Sequence, residues 1–301
     1  MSSKRTKSKD QRTLLATTVF CSLFSVHCYT DLMYLGIDVG ATKTLLAVFD
    51  SEGKILKQHK VPTPKKYPDF LTQLEKALQE FKQYHISACC CALPGKVDRR
   101  RGVGLVFGNL AWHLVPIKND LAGLLDHAKV LVENDSNLAG FHEALIFHKK
   151  YKKVLYITVG TGIGDGIIIN GKIDPDFADS ESGQMVLDYG GKLTRWEDIA
   201  SGRALVERYG MHGSKIQDPK IWRQYAKDLS LGLVELVAAL QPDVIIIGGS
   251  IGTHFNKYGH FLRAELERHE NPMVPMPPLA QASKPQEAVI YGCYDYIKQS
   301  I

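Results

Sequence analysis

The sequence has few cysteines, and none of them belongs to a CxxC pair. Only six occur in 301 residues, and Cys89, Cys90 and Cys91 follow one another in the apolar run from Ile86 to Leu93. Neighbouring side chains on a strand point to opposite faces, so these three thiols do not form a compact metal-binding set. We expect small, buried strand residues there and a reducing, cytoplasmic compartment.

The sequence also lacks a general excess of charge. The formal net charge is +5, but Met1 to Arg12 alone hold five Lys or Arg and one Asp, so the remainder is nearly neutral. Elsewhere basic and acidic residues are interleaved, which is typical of a solvated surface and argues against a nucleic-acid partner. With 45% hydrophobic and 23% charged residues, the composition indicates a globular protein with one large or two medium domains.

A long hydrophobic run is missing as well. Basic residues at positions 4 to 9 precede an apolar stretch from Leu14 to Cys28, an order that is typical of a signal peptide. The stretch is short for a bilayer span and lacks a small-x-small cleavage site, so we expect no membrane partner. Three interpretations of residues 1–33 stay open: an upstream extension before a natural start at Met33, a disordered or loosely packed tail, and a targeting signal.

Apolar periodicity predicts a mixture of strands and helices. Tyr34 to Phe49 and Val154 to Ile169 repeat one plan of strand, small-residue turn and strand, about 120 residues apart. A doubled fold that holds a ligand between two glycine turns is one interpretation, and chance similarity of two hairpins is the other. Further strands are predicted at 55–61, 86–93, 244–247 and from Val289, and helices at 68–84, 138–147, 196–209, 219–240, 255–270 and 291–298.

Three glycine-containing turns offer the donors that a phosphate group needs. In the first, Asp38 to Thr44, backbone amides and threonine hydroxyls can approach phosphate oxygens, and Asp38 can hold Mg²⁺ through water. The second is Gly160 to Gly164. The third, Gly248-Gly249-Ser250, follows an apolar strand and can pass against a flat nucleotide. Each turn alone is a weak signal with an ordinary hairpin or loop as the alternative, whereas the three in this order are much more specific.

A polar cluster, Glu133-Asn134-Asp135-Ser136-Asn137, follows the apolar run from Lys129 to Val132 and opens a helical segment. An Asp or Asn at such a place can be a simple helix N-cap. Two carboxamides and two carboxylates in five residues exceed what one cap requires. A carboxylate beside carboxamides is suited to binding vicinal hydroxyls and to removing a proton from one of them.

These motifs resemble those of the ROK family of sugar kinases and regulators, within the superfamily of actin, Hsp70 and hexokinase, over about residues 34–298. The resemblance implies an α/β fold, the two-domain actin-like ATPase (ribonuclease H-like) fold with a cleft between the domains. The expected small domain is 34–133 plus 286–301, and the expected large domain is 134–285, after the N-terminal extension at 1–33.

The resemblance also implies roles for individual residues. Asp135 is the expected base for the sugar hydroxyl, and Asp38 the expected Mg²⁺ ligand, through water. The expected sugar-binding residues are Asn109, Asn134, Asp135, Glu181, Gln184 and Glu197. The expected ATP- and phosphate-binding residues are Asp38, Gly40, Thr42, Lys43, Thr44, Gly160, Thr161, Gly162, Gly164, Gly248 and Gly249.

One departure from the family pattern concerns zinc. Glu181-Ser182-Gly183-Gln184 stands where the family has ExGH, so Gln184 replaces a zinc-binding His, and no Cys or His follows before His212. We therefore expect no zinc, although the Gln184 amide can still hydrogen-bond a sugar hydroxyl. Zinc-free relatives include polyphosphate-dependent glucokinases, which makes polyphosphate an alternative donor to ATP.

The resulting hypothesis is a cytoplasmic hexose kinase that uses ATP and Mg²⁺ to convert glucose to glucose 6-phosphate. The alternatives are a kinase for fructose, mannose or an N-acetylhexosamine, a sugar-sensing regulator, and a non-catalytic sugar-binding relative. The segment before the first strand is short for a helix-turn-helix domain, which argues against the regulator. Asp135 and the two phosphate turns argue against the non-catalytic relative. A homodimer stays open as the oligomeric state.

Overall fold

The computed structural model describes residues 32–126, 128–147 and 150–301. The three interpretations of the N-terminal extension therefore concern residues outside the described range. The strands are β1 (Met33–Val39), β2 (Lys43–Phe49), β3 (Ile55–Pro62), β4 (Ile86–Leu93), β5 (Lys96–Asp98), β6 (Val103–Val106), β7 (His113–Val115), β8 (Lys129–Asn134), β9 (Lys153–Val159), β10 (Ile163–Ile169), β11 (Lys172–Ile173), β12 (Val186–Tyr189), β13 (Lys192–Arg195), β14 (Val244–Gly248) and β15 (Leu279–Gln281).

Helices connect and cover these strands. The α-helices are α1 (Tyr67–Leu78), α2 (Ile117–Leu124), α3 (Asp135–Phe147), α4 (Trp196–Ala200), α5 (Gly202–Tyr209), α6 (Pro219–Leu240), α7 (Gly249–Gly252), α8 (Phe255–Glu267) and α9 (Ala288–Ser300). Short 3₁₀ turns lie at Gln79–Phe81, Ser182–Gln184 and Gly213–Lys215. Within the described ranges, no helix combines the length and apolar character needed to cross a bilayer.

Several sequence-based assignments differ from the structure. The helix predicted at 196–209 is interrupted by Ser201, whose backbone is extended and whose hydroxyl caps α5 by accepting a hydrogen bond from Ala204 N at 3.2 Å. The helix predicted at 68–84 tightens into a 3₁₀ turn after Leu78. Val289 belongs to α9 and not to a strand. The prediction was wrong because a short apolar run does not distinguish a strand from a buried helical turn.

Two five-stranded sheets share one topology. Their strand orders are β3-β2-β1-β4-β8 and β11-β10-β9-β14-β15. In each sheet an antiparallel meander of three strands forms one side, and two further strands run parallel to the meander's first strand. This match confirms the prediction of a doubled fold. The division into domains at 34–133 plus 286–301 and 134–285 stays a prediction.

The two meanders differ by one residue in the glycine turn. Val39 pairs with Thr44 in the first, so four residues form the turn. Val159 pairs with Ile163 in the second, so three residues form it. Because strand side chains alternate between faces, this difference changes which residues after each turn are equivalent. By register, Leu45, Leu46 and Ala47 of β2 correspond to Gly164, Asp165 and Gly166 of β10.

Helices α3 and α9 pack against each other and against the two sheets. Helix α9 lies so close to β1 that a Cβ on Gly36 would be 3.0 Å from Ile290 Cδ1. Helix α3 lies equally close to β9, since a Cβ on Gly140 would be 2.9 Å from the Tyr156 Cβ. The buried thiols of β4 lie on both faces of the first sheet, which confirms their assignment as small core residues.

Candidate functional site

Two carboxylates lie at the carboxyl edge of the first sheet. Asp38 is near the end of β1 and Asp135 directly follows β8, and both strands run parallel to β4 between them. Burial raises the pKa of Asp38 to about 7, with a further increase from the negative charge of Asp135 and a decrease from Lys60. The sheet therefore brings the predicted metal ligand within electrostatic reach of the predicted base.

Asp135 is the first residue of α3. Its Oδ1 accepts hydrogen bonds from Ser136 N at 2.7 Å and from Ser136 Oγ at 3.3 Å. Burial raises the pKa of Asp135 to about 6, although these hydrogen bonds lower it. A carboxylate with this pKa is ionised at neutral pH and remains basic enough to accept a proton from a hydroxyl group during reaction.

Asn134 is the N-cap of α3, as the simpler interpretation of the polar cluster proposed. Its Oδ1 accepts a hydrogen bond from Asn137 N at 3.0 Å, and its Nδ2 donates to Gly95 O at 3.0 Å. The side chain thus fixes the start of the helix that carries Asp135. One further N–H of its amide group exists for a ligand, and its predicted contact with a sugar stays a prediction.

A partly buried ion pair between Glu133 and Arg99 lies at the end of β8, two residues before Asp135. Glu133 is 1% exposed, and its two carboxylate oxygens accept hydrogen bonds from Nε and Nη2 of Arg99, both at 2.7 Å. Arg99 also donates to Ala178 O at 2.7 Å, and Asn137 Nδ2 donates to the same carbonyl at 2.8 Å. The sequence does not predict this role of Arg99, because nothing local indicates a partner 34 residues away.

Glu143, further along α3, was also missed. Its side chain is fully buried and accepts hydrogen bonds from Ser283 N at 2.7 Å and from Lys284 N at 2.9 Å. The next residue, Pro285, accepts a hydrogen bond from Gly249 N at 2.9 Å. Helix α3 therefore holds the segment that supports the third glycine turn. The signal available in the sequence for this role of Glu143 was a charged residue among the apolar residues of a helix.

The second and third glycine turns meet in space. Gly160 N donates to Gly162 O at 3.0 Å, and Gly160 O accepts from Gly202 N at 2.7 Å. Gly249 adopts a positive φ of 77°, which favours glycine, and lies against the backbone of Val159. Side chains would prevent these close approaches, so the glycines allow three chain segments to come together beside Thr161.

A cleft of about 550 Å³ opens at this junction. It is lined by residues of the second and third turns together with α5 and the segment from His212 to Ser214: Gly160, Thr161, Gly202, Arg203, Val206, His212, Gly213, Ser214, Ser250, Ile251, Thr253, His254 and Gln286. Of the predicted residues, Gly160 and Thr161 line it. The sequence did not predict Arg203, His212 and His254 as lining residues of the cleft. The Ser201-Gly202 pair was a visible signal that the predicted helix is interrupted there.

The predicted phosphate-binding residues of the first glycine turn differ in exposure. Gly40 N donates to Lys43 O at 3.0 Å, and Thr42 and Lys43 are exposed. Thr44 is fully buried, and its hydroxyl shares a hydrogen bond of 2.8 Å with the hydroxyl of Thr63. The structure thus places Thr44 under the turn, where it ties β2 to the end of β3.

Three predicted sugar-binding residues lie near the second turn: Glu181, Gln184 and Glu197. Gln184 Nε2 donates to Glu197 Oε1 at 3.0 Å. Glu197 Oε2 lies so close to the turn that a Cβ on Gly162 would be 2.6 Å from it. Burial raises the pKa of Glu181, and the negative charges of the neighbouring acidic residues, Asp165, Asp135 and Glu197, raise it further, whereas Lys96 lowers it. Glu181 therefore lies within electrostatic reach of the other predicted acidic residues, Asp135 and Glu197.

Asn109 is not joined to this group. It is exposed in the segment between β6 and β7, and within the described ranges no hydrogen bond links it to the other predicted sugar-binding residues. Its neighbour Trp112 is buried, donates from Nε1 to Lys65 O at 3.0 Å, and packs on Phe70 with ring centroids 4.6 Å apart. The sugar contact of Asn109 stays a prediction.

The segment after Gln184 forms the hairpin β12–β13 with Gly190-Gly191 at its turn. Met185 O accepts a hydrogen bond from Trp196 N at 2.8 Å and closes the base of this hairpin. Across the described part of the chain, no group of three or more His, Cys, Asp or Glu has the arrangement of a metal site. The expected absence of zinc stays a prediction that metal analysis can test.

Comparisons with known proteins identify the family. The ROK family model matches residues 34–300. Glucokinase of Streptomyces coelicolor is 30% identical over 260 residues, covering 72% of this chain and 81% of that protein. N-acetyl-D-glucosamine kinase of Citrobacter koseri is 28% identical over 287 residues, covering 83% and 94%.

A solved structure extends the comparison to the fold. The ROK family glucokinase from Streptomyces griseus, in complex with glucose and AMPPNP, matches with a TM-score of 0.77 at 24% identity, covering 89% of this chain and 99% of that chain. The similarity confirms the predicted mixed α/β fold of the actin-like ATPase type. From the family match and the sequence identity, we conclude that the chain belongs to the ROK family.

Proposed function

We propose that this protein is a hexose kinase that transfers the γ-phosphoryl group of ATP to glucose and forms glucose 6-phosphate. The observation that carries the proposal is the position of Asp135. It lies within electrostatic reach of Asp38 at the end of β1 and of Glu181, and the residue after it packs against Gly164 of the second glycine turn. A base placed between a carboxylate-rich pocket and two phosphate turns suits phosphoryl transfer to a hydroxyl group.

In the proposed reaction, Asp135 accepts the proton of the sugar O6 hydroxyl. The oxygen then forms a bond to the γ-phosphorus, and the bond from that phosphorus to the bridging oxygen breaks, so that ADP leaves with the electron pair. Because little covalent chemistry is asked of the protein, its contribution is positioning and charge stabilisation. Backbone N–H groups of the two glycine turns would donate to the phosphate oxygens.

The residues around Asp38 fit Mg²⁺. A half-buried carboxylate whose pKa is raised to about 7, in part by a neighbouring carboxylate, supplies the hard oxygen ligands that this cation prefers and gains from a nearby positive charge. Bound Mg²⁺ would neutralise developing charge on the donor phosphates. Asp38 would hold the ion through water. The positive charge of the ion would in turn favour the ionised form of Asp38.

The cleft beside the second turn favours ATP over polyphosphate as the donor. A volume of about 550 Å³ lies in the range of small-molecule sites, and a polyphosphate chain has no base or ribose to occupy it. The lining combines backbone of Gly160 and Gly202 with the apolar side chains of Val206 and Ile251. Such a wall can accept the flat face of an adenine while the phosphates extend toward Gly162.

Glucose is proposed because acidic and amide side chains surround the sugar space from several directions. Glu181, Glu197 and Gln184 come from two segments that the hydrogen bond between Gln184 and Glu197 joins, and Asp135 faces them from α3. Such a set can pair with hydroxyls around a ring, and an unmatched buried partner costs about 1–3 kcal/mol. Epimers of glucose should therefore be poorer substrates.

The test is a steady-state assay of the full chain with Mg²⁺ over a panel of sugars and donors. The panel contains glucose, mannose, galactose, fructose, N-acetylglucosamine and N-acetylmannosamine, each with ATP or polyphosphate. We expect the highest kcat/KM with glucose and ATP. An N-acetylhexosamine or fructose that exceeds glucose tenfold would reassign the substrate, and higher kcat/KM with polyphosphate would reassign the donor.

The same assay distinguishes an enzyme from a regulator or a sugar-binding relative. Calorimetric titration with glucose measures binding without turnover. Glucose binding by a protein that phosphorylates none of the sugars would contradict the kinase assignment and support a sensing role.

A further inference from the structure

Asp165 is a buried carboxylate that the proposed mechanism does not use. It lies on β10, directly after Gly164 of the second glycine turn, and is 3% exposed. Its Oδ1 accepts a hydrogen bond from Ser182 N at 2.8 Å, and its Oδ2 accepts one from the hydroxyl of Ser180. These are the two residues that flank Glu181, so one carboxylate holds both sides of a predicted sugar-binding residue.

Strand β10 fixes the same segment at a second point. Gly183 lies directly against the carbonyl of Ile163, at a distance that would not admit a Cβ. Ile163 and Asp165 lie on one face of the strand, because side chains alternate. On the other face, Gly164 and Gly166 lie against Ser136, the residue after the proposed base. The strand therefore contacts the start of α3 on one face and the Glu181 segment on the other.

We infer that Asp165 is a positioning residue that sets the place of Glu181 against the proposed base and the second phosphate turn. This inference rests on the proposed function, since Glu181 is taken to accept hydrogen bonds from the sugar. Both carboxylate oxygens of Asp165 accept hydrogen bonds from this segment, so its role is to position Glu181. By holding the backbone of Ser182 and the hydroxyl of Ser180, it orders the loop before the sugar binds and reduces the entropy lost on binding.

Its negative charge has a separate effect. The charged groups near Glu181 are Asp165, Asp135, Glu197 and Lys96. Burial is the largest cause that raises the pKa of Glu181, the three carboxylates raise it further, and Lys96 lowers it. Glu181 binds sugar hydroxyls as a carboxylate, so sugar binding is present above this pKa and is lost as the pH falls through it. Neutralising Asp165 lowers the pKa of Glu181, and the loss then occurs at lower pH.

The experiment compares Asp165→Asn with the wild-type chain. Asparagine keeps the shape and can accept from Ser182 N, but it removes the charge and must donate to Ser180 Oγ. We expect the KM for glucose to rise about three- to tenfold, since a charge-assisted hydrogen bond is weakened. The KM for ATP should stay within about twofold, and the acid limb of the glucose KM should move to lower pH.

The matched control is Asp243→Asn. Asp243 also accepts two backbone hydrogen bonds, from Lys152 N and Lys153 N, both at 2.8 Å, but in a loop away from the turns. We expect no change in the glucose KM or in its pH profile. A milder variant, Ser180→Ala, removes one of the two hydrogen bonds of Asp165 and should raise the glucose KM about two- to threefold.

Amide hydrogen exchange of residues 180–184 supplies a measurement that does not depend on turnover. We expect faster exchange of this segment in Asp165→Asn than in wild type and unchanged exchange in Asp243→Asn. The inference would be overturned if Asp165→Asn had the same exchange rates, the same glucose KM and the same pH dependence of that KM as the wild-type chain. The kinase assignment would then remain intact. A wild-type protein that neither binds nor phosphorylates glucose would instead contradict the proposed function and, with it, the stated role of Glu181.

Discussion

The hairpins β1–β2 and β9–β10 occupy the same place in their sheets, and both join two strands through a glycine turn. The first hairpin has a carboxylate, Asp38, on its incoming strand, where the second has Thr158. The second has a carboxylate, Asp165, on its outgoing strand, where the first has Leu46. The shared backbone thus places one carboxylate at the proposed metal site and the other behind the sugar-binding segment.

The neighbours of the two hairpins explain the difference. Leu46 is fully buried in the apolar core between the first sheet and α1. At the equivalent place, Asp165 meets the loop of Ser180 and Ser182, which supplies hydrogen-bond donors. A buried carboxylate is tolerated where donors satisfy it and costs several kcal/mol where they do not. Repetition of a fold therefore conserves topology, while local donors decide the residue types.

The largest expected effect concerns Asp135, which lies between the hairpins and belongs to neither. Asp135→Asn keeps the shape of the side chain and removes the proton acceptor. We expect kcat to fall by about 10²–10⁴, with glucose binding partly kept. Steady-state assay and calorimetric titration with glucose measure the two quantities. Turnover near the wild-type value would show that another group accepts the proton.

The next effect concerns Leu46. Leu46→Ala leaves a cavity in a fully packed core, and we expect a loss of about 2–5 kcal/mol in the free energy of unfolding. The KM for glucose should not change at a temperature where the variant is folded. Urea denaturation and steady-state assay test this pair of outcomes. A raised glucose KM would indicate that the first hairpin also positions the sugar site, and the contrast with Asp165 would fail.

Two matched variants, Gly166→Ala and Ala47→Gly, change equivalent positions of the two hairpins. They test how closely each hairpin packs against a helix. A Cβ on Gly166 would be 2.7 Å from Ser136 O, which is backbone of α3. We expect overpacking to cost about 1–3 kcal/mol and to lower kcat by displacing the start of the helix that carries Asp135. Ala47→Gly should cost about 1 kcal/mol without lowering kcat. Equal kcat values in the two variants would contradict this distinction.

The smallest expected effect concerns the charge of Asp38. Its folded-state pKa of about 7 exceeds the ordinary 3.8, so the folded state disfavours the charged form. Wild-type stability should therefore decrease as the pH rises between these values. Without Mg²⁺, Asp38→Asn should raise the Tm by about 2–4 °C at pH 8 and leave it unchanged near pH 4. Thermal unfolding at both pH values measures the difference, and a lower Tm at pH 8 would contradict the sign.

The sequence predicted the elements that local patterns specify. Alternating apolar residues and turn glycines predicted both hairpins, and the polar residues after β8 predicted the N-cap of α3. These predictions succeed because strand period, glycine turns and N-cap chemistry are properties of short segments. The break at Ser201 was missed, because apolar residues on both sides of it continue the helical spacing.

The tertiary structure decided the pairings that cross the chain. The one-residue difference between the glycine turns is visible only in the strand register, and it determines that Asp165 corresponds to Leu46 rather than to Leu45. Arg99 and Glu133, like Glu143 and the segment at Ser283, meet only because strands and helices distant in sequence pack together. A buried charge requires a partner, but composition and spacing do not say which residue provides it, since the partner is selected by packing in three dimensions.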